Sequence, residues 1–102
     1  MDIPDYNLQI ALTEYQEWGE KRQIPREERI RQLLPQRSKA EIRKIISICQ
    51  RVEDEAWKIT ELVQENKLSE AEAIARLKKS FPFMSEDNLR RTFIQAMYYV
   101  SK

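Results

Sequence analysis

The segment that decides the fold spans residues 38–66 and reads SKAEIRKIISICQRVEDEAWKITELVQEN. It contains no glycine and no proline. Ser38 and Glu41 have the spacing of a capping box, in which each side chain accepts the backbone N–H of the other residue. Apolar residues then recur at helical spacing on one face: Ile42, Ile45, Ile46, Cys49, Val52, Ala56, Ile59 and Val63. This pattern predicts one central helix, roughly 40 Å long at 1.5 Å per residue.

The apolar face of this helix is wide. Including Ile48 extends it to roughly 160° at 100° per residue, which is more than one neighbouring helix covers. We therefore expect shorter helices to pack against the central helix from two sides. Trp57 and Leu62 fall outside the apolar face, so flanking helices or another protein must cover them.

The residues before the central helix predict two helices. The first runs from about Asp5 to Lys21, and the second begins at Pro25 and ends near Leu34, before Pro35. The expected inward residues are Leu8, Ala11, Leu12, Tyr15 and Trp18 in the first helix and Ile30, Leu33 and Leu34 in the second.

The residues after the central helix predict two more helices. Asn66 is predicted to end the central helix, and Ser69 with Glu72 forms a second capping box that predicts a helix from Glu70 to Ser80. The last helix starts at Ser85. The sequence thus predicts an all-α fold, a single domain over residues 1–102 with four or five helices packed around the central helix.

Composition indicates a globular protein with a charged surface. Hydrophobic residues make up 41% of the chain and charged residues 34%. The one cysteine, Cys49, excludes an intramolecular disulfide, and its place on the apolar face predicts a buried side chain. The chain has neither an apolar run near 18 residues nor a basic start before an apolar stretch, so we expect a cytoplasmic protein without a membrane span or secretory signal.

The residue types present leave little room for known catalytic chemistry. The chain has no histidine, one cysteine and one glycine, Gly19. The usual general base, the common zinc and iron–sulfur sites and glycine-rich phosphate loops are therefore absent. We expect no catalytic residue, no metal site and no cofactor. An enzyme of unfamiliar type, built on carboxylates, lysines or arginines, is an alternative.

The formal net charge of +1 conceals blocks of opposite sign. Residues 1–20 hold five acids and no base, whereas residues 21–44 hold nine bases and three acids. We favour internal pairing between the acidic first helix and this basic segment over contact with nucleic acid. The nine bases are Lys21, Arg22, Arg26, Arg29, Arg31, Arg37, Lys39, Arg43 and Lys44.

The two helices predicted within residues 69–102 resemble a helix-turn-helix in their spacing. Asn88, Arg90 and Arg91 would then stand at the start of a DNA-reading helix. Glu86 and Asp87 lie where phosphates would approach, which argues against that interpretation.

Our functional hypothesis is a noncatalytic protein-interaction or regulatory protein that binds an acidic, partly apolar protein surface. Self-association is a second form of the same hypothesis, and DNA or RNA binding through residues 21–44 or 69–102 is the alternative. Phe83 is expected to supply exposed apolar surface. The predicted partner-binding residues are Arg22, Arg26, Arg29, Arg37, Arg43, Lys44 and Phe83.

Overall fold

The structure, a computed structural model, describes residues 3–17 and 23–101. Within these ranges the chain forms five helices and no strand, and the four shorter helices all contact the long α3. The predicted all-α fold around a central helix is confirmed. No helix in the described ranges is long and apolar enough to span a membrane. The helices are α1 (Asp5–Tyr15), α2 (Arg26–Leu33), α3 (Lys39–Gln64), α4 (Glu70–Ser80) and α5 (Glu86–Val100).

Internal contacts divide the chain into two units, Met1–Gln50 and Arg51–Lys102. The first unit contains α1, α2 and the N-terminal half of α3; the second contains the rest of α3 with α4 and α5. The single domain expected over residues 1–102 stays a prediction.

Local hydrogen bonds define both ends of α3. The Ser38 backbone N–H donates to Glu41 at 2.9 Å, and the Glu41 N–H donates to the Ser38 hydroxyl at 3.1 Å, which completes the predicted capping box. At the other end Asn66 adopts a left-handed φ of 61°. The N–H groups of Asn66 and Lys67 donate to the carbonyls of Val63 and Leu62, which is the pattern of a Schellman motif.

The first helix is shorter than the sequence predicts. It ends at Tyr15 instead of Lys21, and Trp18 and Lys21 lie outside the described residues. The N–H of Glu17 donates to the Glu14 carbonyl at 3.1 Å, and an Arg29 guanidinium N–H approaches the same oxygen at 3.4 Å. Both donors occupy a carbonyl oxygen that would accept the N–H of a residue four positions later if the helix continued.

The inward face of α2 differs from the prediction at one position. Ile30 and Leu34 are buried, but Leu33 is 45% exposed, and Arg29 is buried in its place. Leu34 is the C-cap with non-helical φ and ψ of −125° and 61°, so its side chain no longer follows the helical progression. Leu33 and Leu34 therefore cannot face the same side.

The core of the first unit consists of side chains from all three of its helices. Ile42, Ile45 and Cys49 of α3 are buried as predicted. The buried apolar residues of α1 and α2, with the C-cap of α2, are Leu8, Ala11, Leu12, Tyr15, Ile30 and Leu34.

The second unit has two capped helices. Ser69 and Glu72 form the predicted box at the start of α4, and Ser85 pairs with Asn88 in the same way at α5. The Lys78 ammonium donates to the carbonyls of Pro82 at 2.9 Å and Met84 at 2.7 Å, which fixes the turn between the helices. The buried apolar residues are Val52, Ala56, Ile59, Ala73, Leu77, Phe81, Phe83, Met84, Leu89, Phe93 and Ala96.

Candidate functional site

Several arginines of the predicted binding segment are engaged within the first unit. The Arg29 guanidinium is buried and pairs with the Glu14 carboxylate at 3.2 Å. Arg26 is exposed and stacks over the Tyr15 ring at 4.2 Å. The Glu14–Arg29 pair confirms that the acidic first helix lies beside the basic segment, and it shows that Arg29 cannot offer its guanidinium to a partner.

Arg37 is held between two elements. One guanidinium nitrogen donates to the Asn7 side-chain oxygen at 2.8 Å, and another pairs with Glu41 at 3.3 Å. Because both contacts come from residues in helices, the guanidinium is fixed in position, whereas Arg43 and Lys44 extend from the exposed face of α3. Arg22 lies outside the described residues.

A basic groove lies where α2 leads into α3. It has a volume of about 310 Å³, and its lining contains three cations and one acid. The exposed Pro35 supplies apolar surface between these charges, and the buried Leu34 lies at the base of the groove. The lining residues are Glu28, Arg31, Gln32, Leu34, Pro35, Arg37 and Lys39.

Phe83 does not provide the exposed apolar surface that the sequence predicted. Its side chain is only 8% exposed, and its ring packs edge-on against Phe81 with centroids 6.3 Å apart. The expectation of exposure is wrong because the turn after α4, fixed by Lys78, directs both phenylalanines inward. Phe83 is therefore not available as an exposed partner-binding residue.

Exposed aromatic residues are found elsewhere in the second unit. Trp57 of α3 is 45% exposed, and Tyr98 and Tyr99 of α5 are 53% and 44% exposed. The Trp57 and Tyr99 rings are stacked at 6.3 Å with an interplanar angle of 27°, and the two tyrosine rings meet edge-on at 5.8 Å. The position of Trp57 off the apolar face was the sequence signal for this cluster.

These aromatics border a second depression, which we call the aromatic groove. It has a volume of about 410 Å³. Among the described residues that line it, two are carboxylates and none is cationic. Its lining residues are Trp57, Glu61, Gln64, Glu65, Tyr99 and Val100.

Comparisons with protein-family models, with curated proteins and with solved structures found no match to this chain. The two grooves and the chemistry of their side chains are therefore the features of the molecule that bear on function.

The helix pair of residues 69–102 lacks the geometry of a DNA-reading motif at its key residue. Asn88 is buried, and its side-chain oxygen accepts hydrogen bonds from the Ser85 backbone at 3.2 Å and the Ser85 hydroxyl at 3.0 Å. Asn88 is thus a capping residue that cannot reach a base edge. Arg90 and Arg91 are exposed, but they line a depression together with Asp87.

Lowered pKa values are found for carboxylates in two helix caps. Hydrogen bonds from the backbone N–H groups of Ser38 and Ser69 lower the pKa of Glu41 and Glu72 below the ordinary value of 4.5. Both carboxylates thereby act in capping boxes. Across residues 3–17 and 23–101, no three acidic or cysteine side chains are grouped closely enough to hold a metal ion.

Proposed function

We propose that this chain is a noncatalytic interaction protein that binds an acidic, partly apolar segment of another protein in the basic groove. One observation carries the proposal: Arg31, Arg37 and Lys39 converge on a single groove that also contains Leu34 and Pro35. Arginine and lysine bind carboxylates, and apolar residues beside them give a contact that excludes water. We place this interaction in the cytoplasm because the chain carries a single cysteine.

The basic groove supports this proposal through preorganisation. Arg37 is already held by Asn7 and Glu41, so binding a carboxylate nearby costs little further side-chain entropy. Arg31 and Lys39 are exposed and available to add charge-assisted hydrogen bonds.

The basic surface continues along α3. Lys39 and Arg43 are four residues apart on the helix, so two like charges face the same side. Such a pair costs about 0.2–0.5 kcal/mol in an isolated helix. An acidic partner would convert this repulsion into attraction, which favours a role in binding.

A protein partner fits the groove better than nucleic acid does. The exposed Pro35 in the lining gives an apolar contact that has no counterpart on a phosphate backbone. A helical peptide with one acidic and one leucine face can match both the cations and this apolar contact. Nucleic-acid binding is the alternative that the following experiment distinguishes from protein binding.

The test uses a fluorescent helical peptide built of leucine and glutamate and measures its binding by anisotropy. The variant Arg31→Glu/Lys39→Glu should weaken binding by at least about tenfold, because hot-spot charges in a groove contribute more than 1 kcal/mol each. The matched control, Arg90→Glu/Arg91→Glu, reverses two exposed arginines of α5 and should keep wild-type affinity.

Equal affinity of the groove variant and the wild type would refute the proposal. A duplex DNA probe measured in parallel addresses the alternative. If the groove variant loses DNA binding while peptide binding is unchanged, and if DNA affinity falls steeply with salt, nucleic acid replaces protein as the partner.

A further inference from the structure

The aromatic groove of the second unit is not used by the proposed function. Single exposed hydrophobic residues are ordinary on protein surfaces. Here, however, three aromatic rings are clustered: Trp57 stacks with Tyr99, which in turn meets Tyr98. Exposed clusters of tryptophan and tyrosine are typical of interaction surfaces, since these residues bury large areas at a small cost in entropy.

The charges beside these rings have one sign. Trp57 and Glu61 are four residues apart on α3, and Glu65 follows four residues later, directly after the end of the helix. The Glu65 N–H still donates to the Glu61 carbonyl at 3.0 Å, so the helical spacing continues and the three residues form one row. Two carboxylates thus stand in succession beyond the indole. The Glu65 carboxylate also meets the Lys67 ammonium at 3.3 Å, but both side chains are more than half exposed, so this pair is weak.

We infer that the aromatic groove binds a lysine- or arginine-bearing segment of a partner protein. The occupant is defined by charge complementarity, because the lining presents Glu61 and Glu65 and, within residues 3–17 and 23–101, no cation. This second surface has the opposite charge preference to the basic groove. The chain is thereby a two-site adaptor, with one docking surface in each unit.

A long cationic side chain suits both the aromatic rings and the carboxylates of the groove. Its aliphatic stem packs on an aromatic ring while its charged end remains near the carboxylates. A cation within about 6 Å of a tryptophan ring is also attracted by the negative face of the ring. An acidic segment would gain neither interaction and would be repelled by both glutamates.

The test uses two helical peptides with identical leucine positions, one carrying lysine and the other glutamate at every polar position. The lysine peptide should bind wild-type protein, and Trp57→Ala/Tyr99→Ala should weaken that binding by at least about tenfold. The same variant should bind the glutamate peptide with wild-type affinity. Tyr6→Ala removes another exposed aromatic, in the first unit, and should have no effect on either peptide.

A charge reversal gives a second measurement that does not remove a packed side chain. Glu61 is exposed, so Glu61→Lys leaves the core intact, yet it should weaken lysine-peptide binding by about tenfold. The control Glu86→Lys reverses an exposed charge on α5 outside the groove and should change affinity by less than about twofold.

Three results would overturn the inference. The first is unchanged lysine-peptide affinity in Glu61→Lys. The second is equal weakening by Glu61→Lys and Glu86→Lys, which would mean nonspecific attraction. The third is a wild-type dimer, measured by sedimentation, that Trp57→Ala converts to monomer with no change in peptide binding; a second copy of the chain would then be the occupant. Loss of glutamate-peptide binding in Arg31→Glu/Lys39→Glu tests the basic groove separately.

Discussion

The Arg29 guanidinium pairs with the Glu14 carboxylate at 3.2 Å, and the two side chains are only 4% and 10% exposed. The same guanidinium also approaches the backbone carbonyl of Glu14 at the last turn of α1. A residue predicted to bind a partner thus joins α1 to α2. The contact explains why the basic segment lies beside the acidic first helix.

We expect removal of one partner of the Glu14–Arg29 pair to lower the free energy of unfolding. Glu14→Gln leaves the Arg29 charge buried without its counterion, and such losses reach roughly 3–5 kcal/mol for buried pairs. Urea unfolding measures the change in the free energy of unfolding. The control Arg31→Met alters an exposed arginine of the same helix and should cost less than about 0.5 kcal/mol.

Replacing both partners should lower the free energy of unfolding by less than replacing one of them. Arg29 Nε is buried and bonds to no acceptor among the described residues, so the pair does not fully compensate its own desolvation. The double variant Glu14→Leu/Arg29→Met is therefore expected to be more stable than Glu14→Gln alone. A double variant as unstable as the sum of the two single changes would contradict this account.

Ile45 and Leu33 are both predicted from the sequence to face the core, but their truncation to alanine should lower the free energy of unfolding by different amounts. Ile45 is fully buried, so Ile45→Ala should destabilise the protein by roughly 2–5 kcal/mol. Leu33 was expected in the core but is half exposed, and Leu33→Ala should cost far less. Comparable urea midpoints for the two variants would show that the face of α2 is assigned incorrectly.

The features that the sequence predicted well depend on neighbours in the chain. The capping boxes at Ser38 and Ser69 involve residues three positions apart, and the stop at Asn66 depends on one backbone angle. The apolar face of α3 follows from helical periodicity alone. Short-range geometry determines all of these features, so they can be predicted from the sequence alone.

The features that the sequence missed depend on distant residues. Arg29 is buried because Glu14, fifteen residues earlier, lies beside it. Phe83 is buried because the Lys78 ammonium fixes the turn that contains it. In the aromatic groove, the sequence placed Trp57 outside the apolar face of α3, whereas the stacking of Trp57 on Tyr99 depends on the packing of α3 and α5.

Asn66 should be replaceable by glycine but not by alanine. Its φ of 61° lies in the left-handed region, which costs an ordinary side chain about 1–2 kcal/mol. Asn66→Ala is therefore expected to destabilise the protein by about 1 kcal/mol, and Asn66→Gly should be neutral within about 0.5 kcal/mol. Thermal unfolding of both variants checks the prediction; equal losses would contradict it.

The capping box at α4 should make stability depend on pH. The Ser69 backbone N–H donates to the Glu72 carboxylate at 2.9 Å and holds the pKa of Glu72 below 4.5. Since the pKa is lower in the folded state, the ionised carboxylate stabilises the fold above about pH 4.5. That contribution is lost as the pH falls through the folded-state pKa.

The variant Glu72→Gln isolates this effect, because glutamine retains an oxygen that accepts the Ser69 N–H but does not titrate. Urea unfolding of wild type and variant from pH 7 to pH 3 should give a stability difference that shrinks below about pH 4.5. Glu70→Gln changes another carboxylate in the first turn of α4 and thus controls for the helix dipole. If Glu70→Gln and Glu72→Gln showed the same dependence on pH, the dipole and not the capping box would be responsible. The box at α5 uses Asn88, which does not titrate, so Asn88→Ala should destabilise the protein equally across this range.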